Sequence, residues 1–265
     1  MLIDIGVNLS HKSFANDTRE VLRSAHENGI RKLIITGTSV CESNRMIALL
    51  NQYSTEFPEM LYGTVGIHPH AASEFSNDST ADLRHLLTQP GVVAIGETGL
   101  DFHRNLAPKE MQVKCFEAHL SLASEIELPL FMHEREASKL QIDILKNRRK
   151  DFSKGVIHCF TGDRQTLYQY LDMDLHIGIT GWICDPRRGM PLQDLVADIP
   201  LDRLMIETDS PYLLPRNLAF PPKDGRNEPS FLPWVVSGIA ACRGESKEEI
   251  AEQTGKTAIK FFGLE

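Results

Sequence analysis

The sequence predicts a (β/α)8 TIM barrel in a single domain spanning residues 1–265, and three observations predict it. Eight short apolar, β-branched runs alternate with longer helix-patterned stretches along the whole chain. No low-complexity segment or linker divides the chain. An open, doubly wound sheet is the runner-up, and it lacks a G-x-G-x-x-G after the first run.

The elements follow in order. Residues 2–8 begin as a strand at once, with neither a basic lead nor an apolar stretch approaching ~20 residues. A helix over 17–28 leads to the β-branched run 32–36, and a helix over 41–53 to the strand 63–68. The pairs 82–89 and 92–97, then 108–126 and 130–133, repeat the pattern. So do 137–147 with 156–158, 164–171 with 175–180, and 191–197 with 204–209. The tail 231–262 reads as one or two closing helices.

An apolar share of 42 % supplies a substantial core. The five cysteines are scattered and form no C-x-x-C pair, which suits a reducing, cytoplasmic setting and argues against a disulfide framework or zinc knot. The net charge of −8 excludes a protein that tracks nucleic acid by neutralising many phosphates. A chain this acidic that acts on a polyanion engages few nucleotides, with a metal supplying local positive charge.

In such a barrel, chemistry sits where strands end and βα-loops emerge. Five of the eight predicted strand ends carry an imidazole or a carboxylate: His68, Glu97, His133, His158 and Asp209. Strand propensity does not explain this, because acidic residues are disfavoured in strands. Alternation puts Ile95 and Val93 beneath Glu97, Phe131 beneath His133, and Val156 and Phe160 on the face of His158. Glu97, His133, His158 and Asp209 then form an arc of metal ligands, costly to bury unless a cation compensates.

The runs Asp4-Ile5-Gly6-Val7-Asn8-Leu9, Gly66-Ile67-His68-Pro69-His70, Ala94-Ile95-Gly96-Glu97-Thr98-Gly99-Leu100-Asp101-Phe102, His133-Glu134-Arg135, His158-Cys159-Phe160-Thr161-Gly162, Ile206-Glu207-Thr208-Asp209-Ser210-Pro211-Tyr212-Leu213 and Arg226-Asn227-Glu228-Pro229 resemble, in order, the motifs of the TatD family of metal-dependent deoxyribonucleases. The resemblance implies an amidohydrolase-like barrel and a magnesium-dependent 3′→5′ exonuclease on single-stranded DNA and RNA ends, with manganese or zinc as other candidate ions. It further implies a place in DNA repair. A monomer with no membrane partner is expected.

One departure stands out. Many family members carry H-x-H at the end of the first strand, where this chain has Gly6 and Asn8. A permanent two-metal site is therefore not expected, and restoring both histidines should raise occupancy of a second ion.

Roles follow from chemistry. Glu97, His133 and His158 hold the metal, and Asp209 serves as ligand and general base. Glu97 and Asp209 are the catalytic pair. Glu207, one layer deeper, orients a ligand. His68, outside the arc, and Arg135 bind substrate phosphate. Trp182 is a weaker base-stacking candidate, and packing beneath its loop is the blander alternative; His103 and Arg216 are weaker still. Two other readings compete. A carbonyl-directed hydrolase (amidase, lactonase or aminoacyl-tRNA esterase) could use the same arc, although Glu97 stands where many such relatives place a lysine. A non-catalytic binding barrel would need no such arc.

Overall fold

The computed structural model describes residues 1–264, and its eight strands run parallel in one sheet ordered β1 through β8. They are β1 (Leu2–Val7), β2 (Ile30–Ile35), β3 (Leu61–Val65), β4 (Val92–Asp101), β5 (Leu130–Arg135), β6 (Gly155–Ile157), β7 (His176–Ile179) and β8 (Leu204–Ile206). The helices are α1 (Thr18–Glu27), α2 (Val40–Tyr53), α3 (Asn77–Leu86), α4 (Lys109–Glu125), α5 (Ser138–Asn147), α6 (Arg164–Asp172), α7 (Met190–Leu195), α8 (Leu232–Arg243) and α9 (Lys247–Phe262). The expected alternation is present throughout. Helix α3 starts five residues before the predicted 82–89, because Ser76 caps it through the Ser79 N–H and a reciprocal Ser79 bond.

The sheet closes through a narrow seam. Val7 bridges Ser210 in parallel, and the Asn8 N–H donates to Ser210 O at 2.8 Å. The Asp4 side chain strengthens the seam from β1. One of its oxygens accepts the Thr208 N–H at 2.9 Å, and the other lies 2.5 Å from Thr208 Oγ1. Burial pushes the Asp4 carboxyl up to about 8, so near neutral pH it is a neutral acid within this bond network.

Strand alternation sorts the apolar side chains into two layers. Ile3, Ile5, Ile34, Ala94, Phe131, Val156 and Met205 pack together inside the barrel, and Phe261 and Phe262 of α9 join them. Val7, Leu33, Ile35, Ile95, Met132, Ile157 and Ile179 face the helices. Each such side chain, fully buried, is worth about 1.5–3 kcal/mol.

Strand β4 departs from simple alternation. Ile95 pairs with Leu130 but Thr98 pairs with Met132, so β4 spends one extra residue there. The bulge corrects the prediction that Ile95 fills the barrel beneath Glu97: Ile95 lies in the outer layer and Ala94 in the inner one. It also requires glycine at Gly96, where φ is +144° and an added Cβ would fall 2.1 Å from the Phe131 carbonyl oxygen. Phe160, expected on the face of His158, likewise packs in the outer layer, while Val156 and Phe131 lie inside as expected.

Candidate metal centre

The bulge sets Glu97 at the barrel mouth, 5 % exposed, against β5. His133 lies within β5 itself, while His68, His158 and Asp209 stand one to three residues beyond β3, β6 and β8. One Glu97 oxygen, Oε1, gathers three imidazoles. His158 Nε2 lies at 2.7 Å, His133 Nδ1 at 3.1 Å and His68 Nε2 at 3.2 Å. Phe131 floors the cluster, its ring stacked on that of His158 with centroids 4.8 Å apart.

Each imidazole has a second partner, and the partners assign different tasks. His133 Nε2 meets Asp101 Oδ2 at 3.2 Å, and His158 Nδ1 meets Glu207 Oε2 at 3.2 Å. A carboxylate behind an imidazole fixes an N–H on the rear nitrogen and leaves the front lone pair for a cation. His68 differs. Its Nδ1 accepts the His70 N–H at 3.0 Å, so its proton resides on Nε2 and points at the site. Ligand atoms of His68, Glu97 and His133 lie within 4.8 Å of one another. Even so, the network makes His68 a donor of a hydrogen bond, and we assign it no lone pair for a cation.

The sequence reading set His68 outside the arc; in the structure it stands within hydrogen-bonding reach of Glu97. Arg135, at the end of β5, has no ion pair among the described residues, since Glu134 accepts the Ala137 N–H and Glu136 pairs with His103. Asp209 sits at the mouth with φ +53°, its Oδ1 taking a 2.9 Å bond from Asn8 Nδ2. Asn8 Oδ1 in turn accepts from Thr36 Oγ1 at 2.8 Å.

Electrostatics follow the geometry. Burial would raise Glu97, but the charge of His158 and the imidazole hydrogen bonds hold it well below the carboxylate range. Burial would lower His133 and His158, yet the carboxylates facing them raise both, His158 strongly. Burial lowers His68 to about 4, so its ring is neutral. Burial, with Glu97 and Glu207 adding to it, pushes Asp209 up to about 7 against the opposing pull of His158.

These donors fit a divalent cation. Three imidazoles converge on one carboxylate oxygen, and two of them carry a proton that a cation on the same lone pairs would replace. Two neutral nitrogens with one or two carboxylates suit magnesium, manganese or zinc.

Asp101 and His119 had no assigned role in the sequence, whereas Glu207 was expected to orient a ligand. Asp101, 1 % exposed, bonds both His133 and His70, the latter at 2.7 Å. It shares the parity of Glu97 along β4, a signal that was available. His119 on α4 accepts the Ile67 N–H at 3.0 Å and so holds the loop carrying His68. Glu207 is fully buried, and beyond His158 it accepts the Cys159 N–H at 2.6 Å. Its other neighbours explain Gly6. A Cβ on Gly6 would fall 2.3 Å from Glu207 Oε2, and one on Gly178 would fall 2.5 Å from Oε1. The space a first-strand histidine would need holds the Glu207 carboxylate, so Gly6→His would also displace the group behind His158. Trp182 packs against the core under its loop, with Arg188 over its ring at 4.6 Å.

The sequence profile described as TatD related DNase matches residues 3–263. A protein of Erwinia amylovora named 3′-5′ ssDNA/RNA exonuclease TatD is 48 % identical over 263 residues, covering 99 % of this chain and 100 % of that protein. Among solved structures, a hydrolase TatD family protein from Entamoeba histolytica aligns with a TM-score of 0.90 at 27 % identity, covering 100 % of this chain and 98 % of that one. The TatD homolog YJJV from Escherichia coli K12 aligns at 0.88 and 27 %, covering 99 % and 98 %.

Proposed function

The chain belongs to the TatD-related DNase family, and from that premise we propose that it is one hydrolase domain, residues 1–265, shortening single-stranded DNA and RNA from their 3′ ends. The observation that carries the reading is the Glu97 oxygen facing His133 and His158, each backed by its own carboxylate. Glu97, His133 Nδ1 and His158 Nε2 hold the ion, with Asp209 as a further ligand, and magnesium is our assignment. Bound there, it supplies Lewis-acid charge to the scissile phosphate.

The chain's own groups do the rest. His68 donates its Nε2–H, and Arg135 its guanidinium, to the non-bridging phosphate oxygens. Asp209 takes a proton from the attacking water as the new oxygen–phosphorus bond forms. It returns that proton to the departing 3′ oxygen as the old bond breaks. Glu97, held ionised, keeps the two ligand imidazoles oriented. Asp101 and Glu207 fix their tautomers.

The setting we propose is the cytoplasm, where unpaired cysteines persist, with the protein acting as a monomer in DNA repair. No helix among the described residues is long and apolar enough to cross a membrane.

The test is incubation of metal-reconstituted protein with end-labelled single strands, a closed circle, and ester and amide panels. Stepwise shortening that stops with a chelator and returns with magnesium or manganese is the expected result. Turnover of the esters or amides alone would replace this reading with the carbonyl-directed one, and nicking of the circle as first product would replace the exonuclease.

A further inference from the structure

An exposed aromatic ring is ordinary on a protein surface, but Tyr212 combines exposure with a rigid backbone and a place beside the metal centre. Its side chain leaves the residue 51 % exposed. Its N–H donates to Asp209 O at 3.0 Å, so it sits one turn beyond the proposed base. Its carbonyl accepts Asn227 Nδ2 at 2.6 Å. Asn227 is fully buried and also reaches Thr208 O at 2.9 Å, while its own N–H donates to Pro211 O at 3.0 Å. Arg226 anchors the same segment by pairing with Asp17 and Glu228. This is the use of the Arg226-Asn227-Glu228-Pro229 motif, which the metal centre leaves unexplained: it clamps the loop that presents Tyr212.

The ring itself stands edge-on to His11, with centroids 5.7 Å apart and planes at 65°. His11 is fixed in turn, because its Nδ1 accepts the Ser13 N–H at 3.2 Å. The result is a preorganised, half-bare π-face at the rim, held by an imidazole wall.

The geometry points to a substrate subsite: the Tyr212 ring, braced by His11, is the stacking platform for the nucleobase beside the scissile phosphate. The inference rests on the exonuclease reading above. A π-face accepts every base and needs no basic surface, which suits a chain with a net charge of −8. It also demands an unpaired base, so it gives the single-strand preference a physical source. Tyr212 binds substrate here and takes no part in proton transfer.

The test uses the metal-loaded protein and a short single strand ending in 2-aminopurine, its terminal linkage a phosphorothioate so that fluorescence is read before cutting. Stacking should quench the fluorophore. Tyr212→Ala should abolish the quench and weaken binding roughly tenfold, the lower-middle of the range for losing one stacked base. Tyr212→Phe should keep both, and Tyr168→Ala, an exposed tyrosine on α6, should change neither. In turnover, wild-type protein should show a KM about tenfold higher for a strand with an abasic 3′ terminus, whereas Tyr212→Ala should treat both strands alike. Full quenching by Tyr212→Ala, or equal KM values for the wild type, would overturn the platform while leaving the exonuclease intact. Failure of the wild type to shorten any strand would instead remove the reading on which the platform rests.

Discussion

Adding one methyl group at Gly6 should weaken metal binding without touching a ligand. The Cβ of Gly6→Ala would fall 2.3 Å from Glu207 Oε2 and 3.4 Å from both Glu207 Cδ and Phe131 Cζ. The carboxylate cannot retreat freely, because the Cys159 N–H holds its other oxygen at 2.6 Å and His158 Nδ1 lies 3.2 Å from Oε2. Overpacking of this kind costs about 1–3 kcal/mol. Losing a charged hydrogen-bond partner adds roughly 1.5–3 kcal/mol. His158 then loses the group that fixes its tautomer, and disturbed support of a ligand lowers metal affinity by about 10–100-fold. Manganese titration against a competing chelator, with thermal melting alongside, measures both effects. Glu207→Gln keeps the volume and removes the charge, so it should lower affinity in the same direction with less loss of stability. A folded Gly6→Ala or Glu207→Gln protein with wild-type manganese affinity would refute the argument.

Other perturbations follow from the same geometry. His133→Ala should cut turnover by several orders of magnitude while the melting temperature stays close to wild type, because the barrel filling lies a layer below; near-normal turnover would sink the ligand assignment. His119→Gln should flatten the acid limb of stability. Burial lowers His119 to about 4, so the unfolded chain binds a proton from pH 6.5 downward that the folded protein refuses. The stability that this neutral ring contributes is complete above 6.5 and drains away toward pH 4, by roughly 3 kcal/mol. His68 and His176, also near 4, act the same way, so the difference between wild type and variant isolates His119. Denaturant midpoints across this range should converge as pH falls; parallel curves would refute it. The salt slope for single-strand binding should be near −2, from about two or three phosphate contacts, and a slope of −5 or steeper would mean an overlooked basic track.

The order of the eight strands and of the helices between them was legible because their runs show a period, and barrel topology then fixes the strand order, while the number of closing helices was left open. What the sequence hid is local. Strict alternation from Glu97 led to Ile95 as barrel filling, and the bulge in β4 broke that count. No single-sequence rule announces a bulge, although Gly96 and Gly99 flanking Glu97 and Thr98 hint at one. The strand-end rule found His68, His133, His158 and Asp209, but three of these lie in loops just beyond their strands. Tautomers were out of reach altogether. The difference between His68 and His133 is the His70 N–H on one ring and Asp101 on the other, and each is a tertiary fact.

The same facts explain how an acidic protein can work on a polyanion. Near the mouth, Glu97, Asp101 and Glu207 lie within hydrogen-bond reach of His133 or His158, and Asp209 accepts from Asn8. Asp4, close to Glu207 in the seam, is kept neutral by burial. That neutrality limits the negative charge that a phosphate must meet, and a divalent cation held at Glu97 would reverse the rest locally. On the proposed reading the phosphate is held by one ion, the His68 N–H and Arg135, without a positive surface around them. Such a site favours a strand end that brings one phosphate at a time over a duplex that brings many.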